Sequence, residues 1–95
     1  MKKLTIVRFK PKPEHFDAFV QELKQASTAP ERTAILNSFV MTKDDEVFSI
    51  VIRHADKLEE DAKRGVQTLD GMRHMLQEYN EVDRHTIPLT GDLIE

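Results

Sequence analysis

Apolar residues follow different patterns in the predicted helices and strands of this chain. Each predicted helix carries one apolar stripe, whereas the predicted strands carry apolar residues on both parities. Helices on one side of a sheet cover only one of its faces. The second apolar face therefore needs another cover, and the simplest is a second copy of the chain. The pattern predicts a homodimer.

The predicted elements follow the order strand, helix, strand, strand, helix, strand. Strands are predicted over residues 3–10, 33–42, 46–53 and 82–94, and helices over 14–27 and from Asp56 to a stop at Asn80. The polar residues 43–46 are few enough to join two strands in an antiparallel hairpin. We therefore expect residues 1–95 to form a single domain. Its fold class is α+β, ferredoxin-like β-α-β-β-α-β, with a four-stranded antiparallel sheet.

Several residues in the second half of the chain indicate where helices and strands begin, end or bend. Glu59 follows Asp56 by three positions, as in a capping box, so Asp56 is expected to cap the second helix. Gly65 and Gly71 each cost about 1 kcal/mol in a helix relative to alanine, which favours a bent or divided helix. Pro88 cannot donate to a sheet, so the last strand is expected at an edge, bulged or split.

Composition excludes several classes of partner and site. The net charge is -3, which gives no broad attraction to phosphate backbones, so no nucleic acid partner is expected. Cysteine is absent from the sequence, which excludes disulfides and thiolate metal sites. The N-terminal apolar run is too short for a signal peptide, and no run is long enough for a bilayer. We expect a cytoplasmic protein without a membrane partner.

His54 and Asn37 are the candidate catalytic residues. Imidazole is the usual acid or base near neutral pH. His54 shares parity with Phe48, Ile50 and Ile52, which we assign to the face beneath the helices, so we expect His54 at a pocket mouth. Asn37 is a polar residue in an otherwise apolar strand and is expected to anchor a ligand. The alternative is that both are ordinary polar residues at a surface or boundary.

Arg53, His85 and Tyr79 are the candidate substrate-binding residues. A buried arginine in an apolar strand needs a partner, which could be a ligand carboxylate or an ion pair at a dimer interface. Tyr79 flanks the second helix and lines either a pocket or the core. His85 pairs with Asp83 at a spacing of two residues, but such pairs arise often by chance in a charged chain. We therefore predict no metal site and no cofactor.

Near its start the chain has the sequence VRFKPKPEHFDAFVQEL, a predicted strand that ends in alternating lysine and proline and runs into an apolar helix. This segment resembles the antibiotic biosynthesis monooxygenase-like group of the dimeric α+β barrels. The resemblance implies two sheets packed face to face and a pocket between each sheet and its own helices. Members include cofactor-free oxygenases of aromatic compounds, haem-degrading enzymes and proteins without an assigned reaction. The oxygenases and haem-degrading members typically rely on a tryptophan, which this chain lacks.

The resemblance implies a homodimer that binds a small hydrophobic or aromatic molecule. Its reaction would be cofactor-independent oxidation or isomerisation of an aromatic or hydrophobic metabolite. The alternative is a non-catalytic ligand-binding or stress-associated dimer, and a third reading is a structural association module. A cavity on the order of several hundred Å³ would favour ligand binding. An association module would instead fill that space with Phe16, Leu23, Leu69 and Leu76.

Overall fold

In the described part of the chain, four strands and two α-helices follow one another in the predicted order. The computed structural model describes residues 1–30 and 32–95. The strands are β1 (Lys2–Phe9), β2 (Ile35–Lys43), β3 (Glu46–His54) and β4 (Thr86–Asp92), and the helices are α1 (Phe16–Ser27) and α2 (Leu58–Asp70). Neighbouring strands are antiparallel in the order β2-β3-β1-β4. The predicted ferredoxin-like α+β fold is confirmed.

β2 and β3 form the predicted antiparallel hairpin, and a turn of two residues joins them. Lys43 pairs with Glu46, and Asp44 between them has a φ of 54°. Aspartate tolerates this left-handed backbone better than most residues, and turns of this kind match the twist of the flanking strands. At the other edge of the sheet, β4 contains Pro88 and pairs with β1. Of the edge, bulged and split forms expected for the proline-containing strand, the structure shows the edge position.

The packed core lies at one end of the sheet. Phe19 of α1 is fully buried, and its ring centroid lies 5.0 Å from that of Phe9 in β1. The segment after α2 closes this end, because Lys12 N–H donates to the Met75 carbonyl and Gln77 N–H donates to the Lys10 carbonyl. The buried apolar cluster contains Phe9, Phe19, Leu23, Val47, Met72, Met75 and Leu76.

The ends of α2 differ from the predicted ones. Asp56 lies in a short 3-10 turn, Ala55–Lys57, and Lys57 occupies the N-cap without a side-chain hydrogen bond, so the predicted capping role of Asp56 is wrong. The helix ends at Asp70 and a 3-10 turn, Arg73–Met75, follows, so of the bent and divided forms that were expected the structure shows the divided one. Asn80 is not a helix stop, because its Oδ1 accepts hydrogen bonds from the N–H groups of Val82 and Asp83 in a loop.

The helices cover the face of β3 opposite to the predicted one. The buried residues of β3 are Val47, Ser49, Val51 and Arg53, and the helices lie over that face. Alternation places His54 with Phe48, Ile50 and Ile52 on the other face. The face assignment made from the sequence is therefore wrong. Both parities of β3 are apolar, so the strand pattern alone does not identify the covered face.

We call the uncovered side of the sheet the open face. All four strands contribute large apolar residues to it: Leu4, Ile6, Phe39, Met41, Phe48, Ile50, Ile52, Ile87 and Leu89. Phe39 is 56% exposed and Leu89 is 68% exposed. Within the described part of the chain, no helix combines the length and the hydrophobicity needed to cross a membrane.

Candidate functional site

A cavity of about 510 Å³ lies between the sheet and the helices. Its floor comes from β1, β3 and β4, and its walls come from α1 and α2. Most of its lining is apolar: Val7, Phe9, Leu23, Val51, Leu58, Val66, Leu69 and Met72. Both its volume and its composition fall within the range of small-molecule pockets.

Small side chains on the helices leave this space open. Ala62 and Gly65 of α2 and Ala26 of α1 line the cavity where larger residues would fill it. A Cβ atom added at Gly65 would meet no atom within 4 Å. Leu23 and Leu69, which were expected to fill the space in a pure association module, instead form part of the cavity wall. The presence of a cavity favours the ligand-binding readings over the association module.

One end of the cavity, which we call the polar end, is formed around the side chain of Arg53. The Arg53 side chain donates from Nε to Asp61 Oδ2 and from Nη1 to Thr5 Oγ1, the latter at 3.0 Å. Thr5 Oγ1 also lies 2.9 Å from Thr90 Oγ1, which links the central strand β1 to the edge strand β4. Thr5, Arg53 and Thr90 all line the cavity, so this network faces the space that a ligand would occupy.

Asp61 receives a second guanidinium from the loop between α1 and β2. Arg32 donates from Nε and Nη2 to the two carboxylate oxygens of Asp61, each at 2.8 Å. Burial alone would raise the pKa of Asp61, but the hydrogen bonds and charges of Arg32 and Arg53 outweigh it and hold that pKa below its ordinary value. Asp61 is therefore a buried, ionised carboxylate that forms ion pairs with two guanidinium groups, those of Arg32 and Arg53.

Sequence reasoning identified Arg53 but missed Asp61 and Arg32. Asp61 lies three residues after Leu58 and four before Gly65, so it falls on the helix face that points to the sheet. A carboxylate in that position needs a buried cation. This signal was available for Asp61. Arg32 lies in a loop and has no periodicity that could have marked it.

His54 and Asn37 lie outside the cavity. Both are exposed on the open face, His54 opposite Lys2 of β1 and Asn37 opposite Ile52 of β3. The expected position of His54 beside a helix-side pocket is wrong, because the helices cover the other face of β3. The catalytic roles of the two residues remain predictions.

Tyr79 contributes to a polar cluster at the edge of the open face. Its hydroxyl donates to Glu46 Oε1 at 2.6 Å, and Arg8 donates to both carboxylate oxygens of Glu46. The hydrogen bond from Tyr79, followed by that from Arg8, keeps the pKa of Glu46 below its ordinary value despite partial burial. Burial and the bond to Glu46 raise the pKa of Tyr79. Tyr79 is thus engaged by Glu46 and is not among the cavity-lining residues.

His85 lies just before β4, beside the cavity residue Thr86 but not in the lining itself. Its Nδ1 is 3.2 Å from Arg73 Nη1, and its Nε2 is 3.8 Å from Glu78 Oε1. Burial, with a smaller effect of Arg73, lowers the pKa of His85, although Glu78 opposes this. Of the five predicted site residues, the structure places only Arg53 in the cavity wall. The predicted substrate-binding roles of His85 and Tyr79 remain predictions.

Comparison with known proteins identifies the fold. No protein-family model and no curated protein sequence matches this chain. Among solved structures, Rv0793 from Mycobacterium tuberculosis has 14% identity and a TM-score of 0.76, with 100% of this chain and 97% of that chain covered. An antibiotic biosynthesis monooxygenase has 11% identity and a TM-score of 0.72, with both chains covered completely.

SnoaB, a cofactor-independent oxygenase from Streptomyces nogalater, is also similar in structure. It has 9% identity and a TM-score of 0.65, with 99% of this chain and 94% of that chain covered. Identities this low establish a common fold and leave the chemistry to the residues of each site. The chain therefore has the ferredoxin-like α+β fold of the antibiotic biosynthesis monooxygenase-like structures.

Proposed function

We propose that this protein is a homodimer that binds a small hydrophobic or aromatic molecule in the cavity between its sheet and its helices. The observation that carries the proposal is the cavity itself, about 510 Å³ with an apolar body and one polar end. A mostly apolar pocket with a few convergent polar groups is the usual form of a small-molecule site. The apolar walls would bury the body of the ligand, and the polar end would orient it.

The open face supports the homodimer. Apolar residues from all four strands form one continuous surface, and Phe39 and Leu89 are more than half exposed on it. Exposed apolar patches of this kind mark interaction sites. A second copy would present the same surface and cover it fully, as the resemblance to the dimeric α+β barrels implies. The occupant that we propose for the open face is therefore another copy of this chain.

Two forms of the proposed function remain open to a direct test. The first is catalytic, with cofactor-independent oxidation or isomerisation of an aromatic or hydrophobic metabolite. The second is non-catalytic binding, and the cavity lining favours it. The ionisable side chains among the described lining residues are Arg32, Arg53 and Glu59, and Glu59 is exposed. No imidazole is among these lining residues, so the usual acid or base of proton transfer is missing from the described wall.

Ligand binding is tested with a neutral fluorescent probe, N-phenylnaphthylamine, and two variants at Gly65. Gly65→Ala adds a methyl group in open space and should leave probe binding intact, whereas Gly65→Phe should place a phenyl ring inside the cavity and block probe binding. Circular dichroism would check that both variants are folded. Absence of probe binding by the wild type, or equal binding by both variants, contradicts the proposed site.

Catalysis is tested separately, on compounds that displace the probe. Oxygen uptake and product analysis would distinguish oxidation, isomerisation and simple binding. Turnover that is lost in His54→Ala or Asn37→Ala would support the catalytic roles of these residues. Turnover that both variants retain would contradict those roles.

A further inference from the structure

We propose that the cavity selects monoanionic ligands, carboxylates attached to an apolar body, and that Arg32 supplies the positive charge for this selection. This inference rests on the proposed function, since it names the class of ligand for the same cavity. It follows from the charges and the unused hydrogen-bond donors at the polar end.

The charges at the polar end are unequal. Arg32 and Arg53 both line the cavity, and both donate to the one carboxylate of Asp61. The three side chains are 10%, 9% and 1% exposed, respectively. Two cations and one anion leave one positive charge in surroundings where solvent screens it poorly. A ligand carboxylate would neutralise that charge.

Other charged groups near this end are more exposed. Glu59 lines the cavity, but its exposed carboxylate is screened by water and salt. Within residues 1–30 and 32–95, Asp61 is the carboxylate that hydrogen-bonds to Arg32 and Arg53. The surplus charge is therefore a property of the buried group formed by Arg32, Arg53 and Asp61.

The polar end also retains donors for a ligand. A guanidinium has five N–H bonds in a planar fork that suits carboxylates. The bonds to described residues use Nε and Nη1 of Arg53, and Nε and Nη2 of Arg32. Charge-assisted bonds from such groups are stronger than those between neutral partners.

The amount of surplus charge and the apolar walls of the cavity indicate the charge of the ligand and the nature of its body. One surplus charge matches one carboxylate, whereas a phosphate dianion would leave excess negative charge in a buried place. The apolar walls are too extensive for a bare inorganic anion, because they reach from Val7 and Val51 on the sheet to Leu58 and Leu69 on α2. An aromatic or aliphatic carboxylic acid satisfies both ends of the cavity.

The test compares two competitors of nearly equal shape, naphthoate and naphthamide, in displacing N-phenylnaphthylamine. We expect naphthoate to displace the neutral probe from the wild type at a concentration about tenfold lower than naphthamide. Arg32→Gln should abolish this difference, because Arg53 then balances Asp61 one to one. The matched variant Arg32→Lys keeps the charge and should retain a preference for naphthoate.

The outcomes separate this inference from the proposed function. If the probe binds and Gly65→Phe excludes it, but naphthoate and naphthamide compete equally in the wild type, the proposed site stands and the inference is wrong. This comparison needs no Arg32 variant, so misfolding of a variant cannot obscure it. A preference for naphthoate that persists in folded Arg32→Gln would overturn the role of Arg32. Absence of probe binding would contradict the proposed function itself.

Discussion

Arg32 and Asp61 form a two-point ion pair that ties the loop before β2 to the first turn of α2. Nε and Nη2 of Arg32 each lie 2.8 Å from a separate oxygen of Asp61. Arg53 of β3 donates to the same carboxylate, so Asp61 connects loop, helix and sheet. The contact organises the polar end of the cavity and also contributes to folding.

Asp61→Asn should destabilise the domain strongly. The substitution leaves two nearly buried guanidinium groups without their anion, and loss of one partner of a buried pair costs about 3 to 5 kcal/mol. Urea unfolding followed by circular dichroism would measure the change. The control is Asp70→Asn, whose pair with Arg73 is exposed and should cost less than about 1 kcal/mol. Similar losses in the two variants would contradict a special role for Asp61.

Acid should remove the contribution of Asp61 to stability. Because the folded pKa is depressed, this contribution is fully present above the ordinary carboxyl value of 3.8 and is lost as pH falls through the folded pKa. The difference in unfolding free energy between wild type and Asp61→Asn should therefore shrink below about pH 4. Unfolding curves at a series of pH values would test this. A difference that does not change with pH would rule out the ionised pair as its source.

Gly65→Ala should stabilise the protein by about 1 kcal/mol. Gly65 lies inside α2, where alanine is the better helix former, and the added methyl group meets no atom within 4 Å. Gly71→Ala is the matched control, since Gly71 lies just after the helix and should give a smaller gain. Thermal unfolding would compare them. A loss of stability in Gly65→Ala would mean that the added methyl group collides with a neighbouring atom.

Phe39→Glu should convert the proposed homodimer into a monomer. Phe39 is 56% exposed on the open face, and a carboxylate there would be buried without a partner if a second copy covered it. Sedimentation equilibrium should give twice the chain mass of 11.0 kDa for the wild type and a single chain for the variant. Val82→Glu, at a loop position that is 91% exposed, should stay dimeric. A monomeric wild type at micromolar concentration would refute the homodimer.

Sequence periodicity was sufficient to predict the order of the helices and strands. It was not sufficient to predict which face of the sheet the helices cover. The prolines, glycines and polar turn residues marked where most elements end, because each acts through its own backbone geometry. In β3, however, Val51 and Ile52 are equally suited to burial. Only the packing of helices in three dimensions determined that Val51 lies beneath them and Ile52 on the open face.

The candidate site was predictable only where a polar residue interrupted an apolar pattern. Arg53 was recognised because a buried arginine in a strand needs a partner. His54, at the end of the same strand, was assigned to the pocket only through the wrong face of β3. Arg32 became part of the site through a loop whose path no local pattern encodes. Contacts between segments distant in the chain thus decided the composition of the cavity.

Part of the packed core lies away from the cavity, and this separation has a consequence for how the protein could change over evolutionary time. Phe19, Val47, Met75 and Leu76 hold the chain together without lining the cavity. Substitutions at Ala62, Gly65 or Val66 could therefore reshape the recognition of small molecules while these core residues keep their packing. Descendants of such a chain could acquire new chemical preferences one residue at a time.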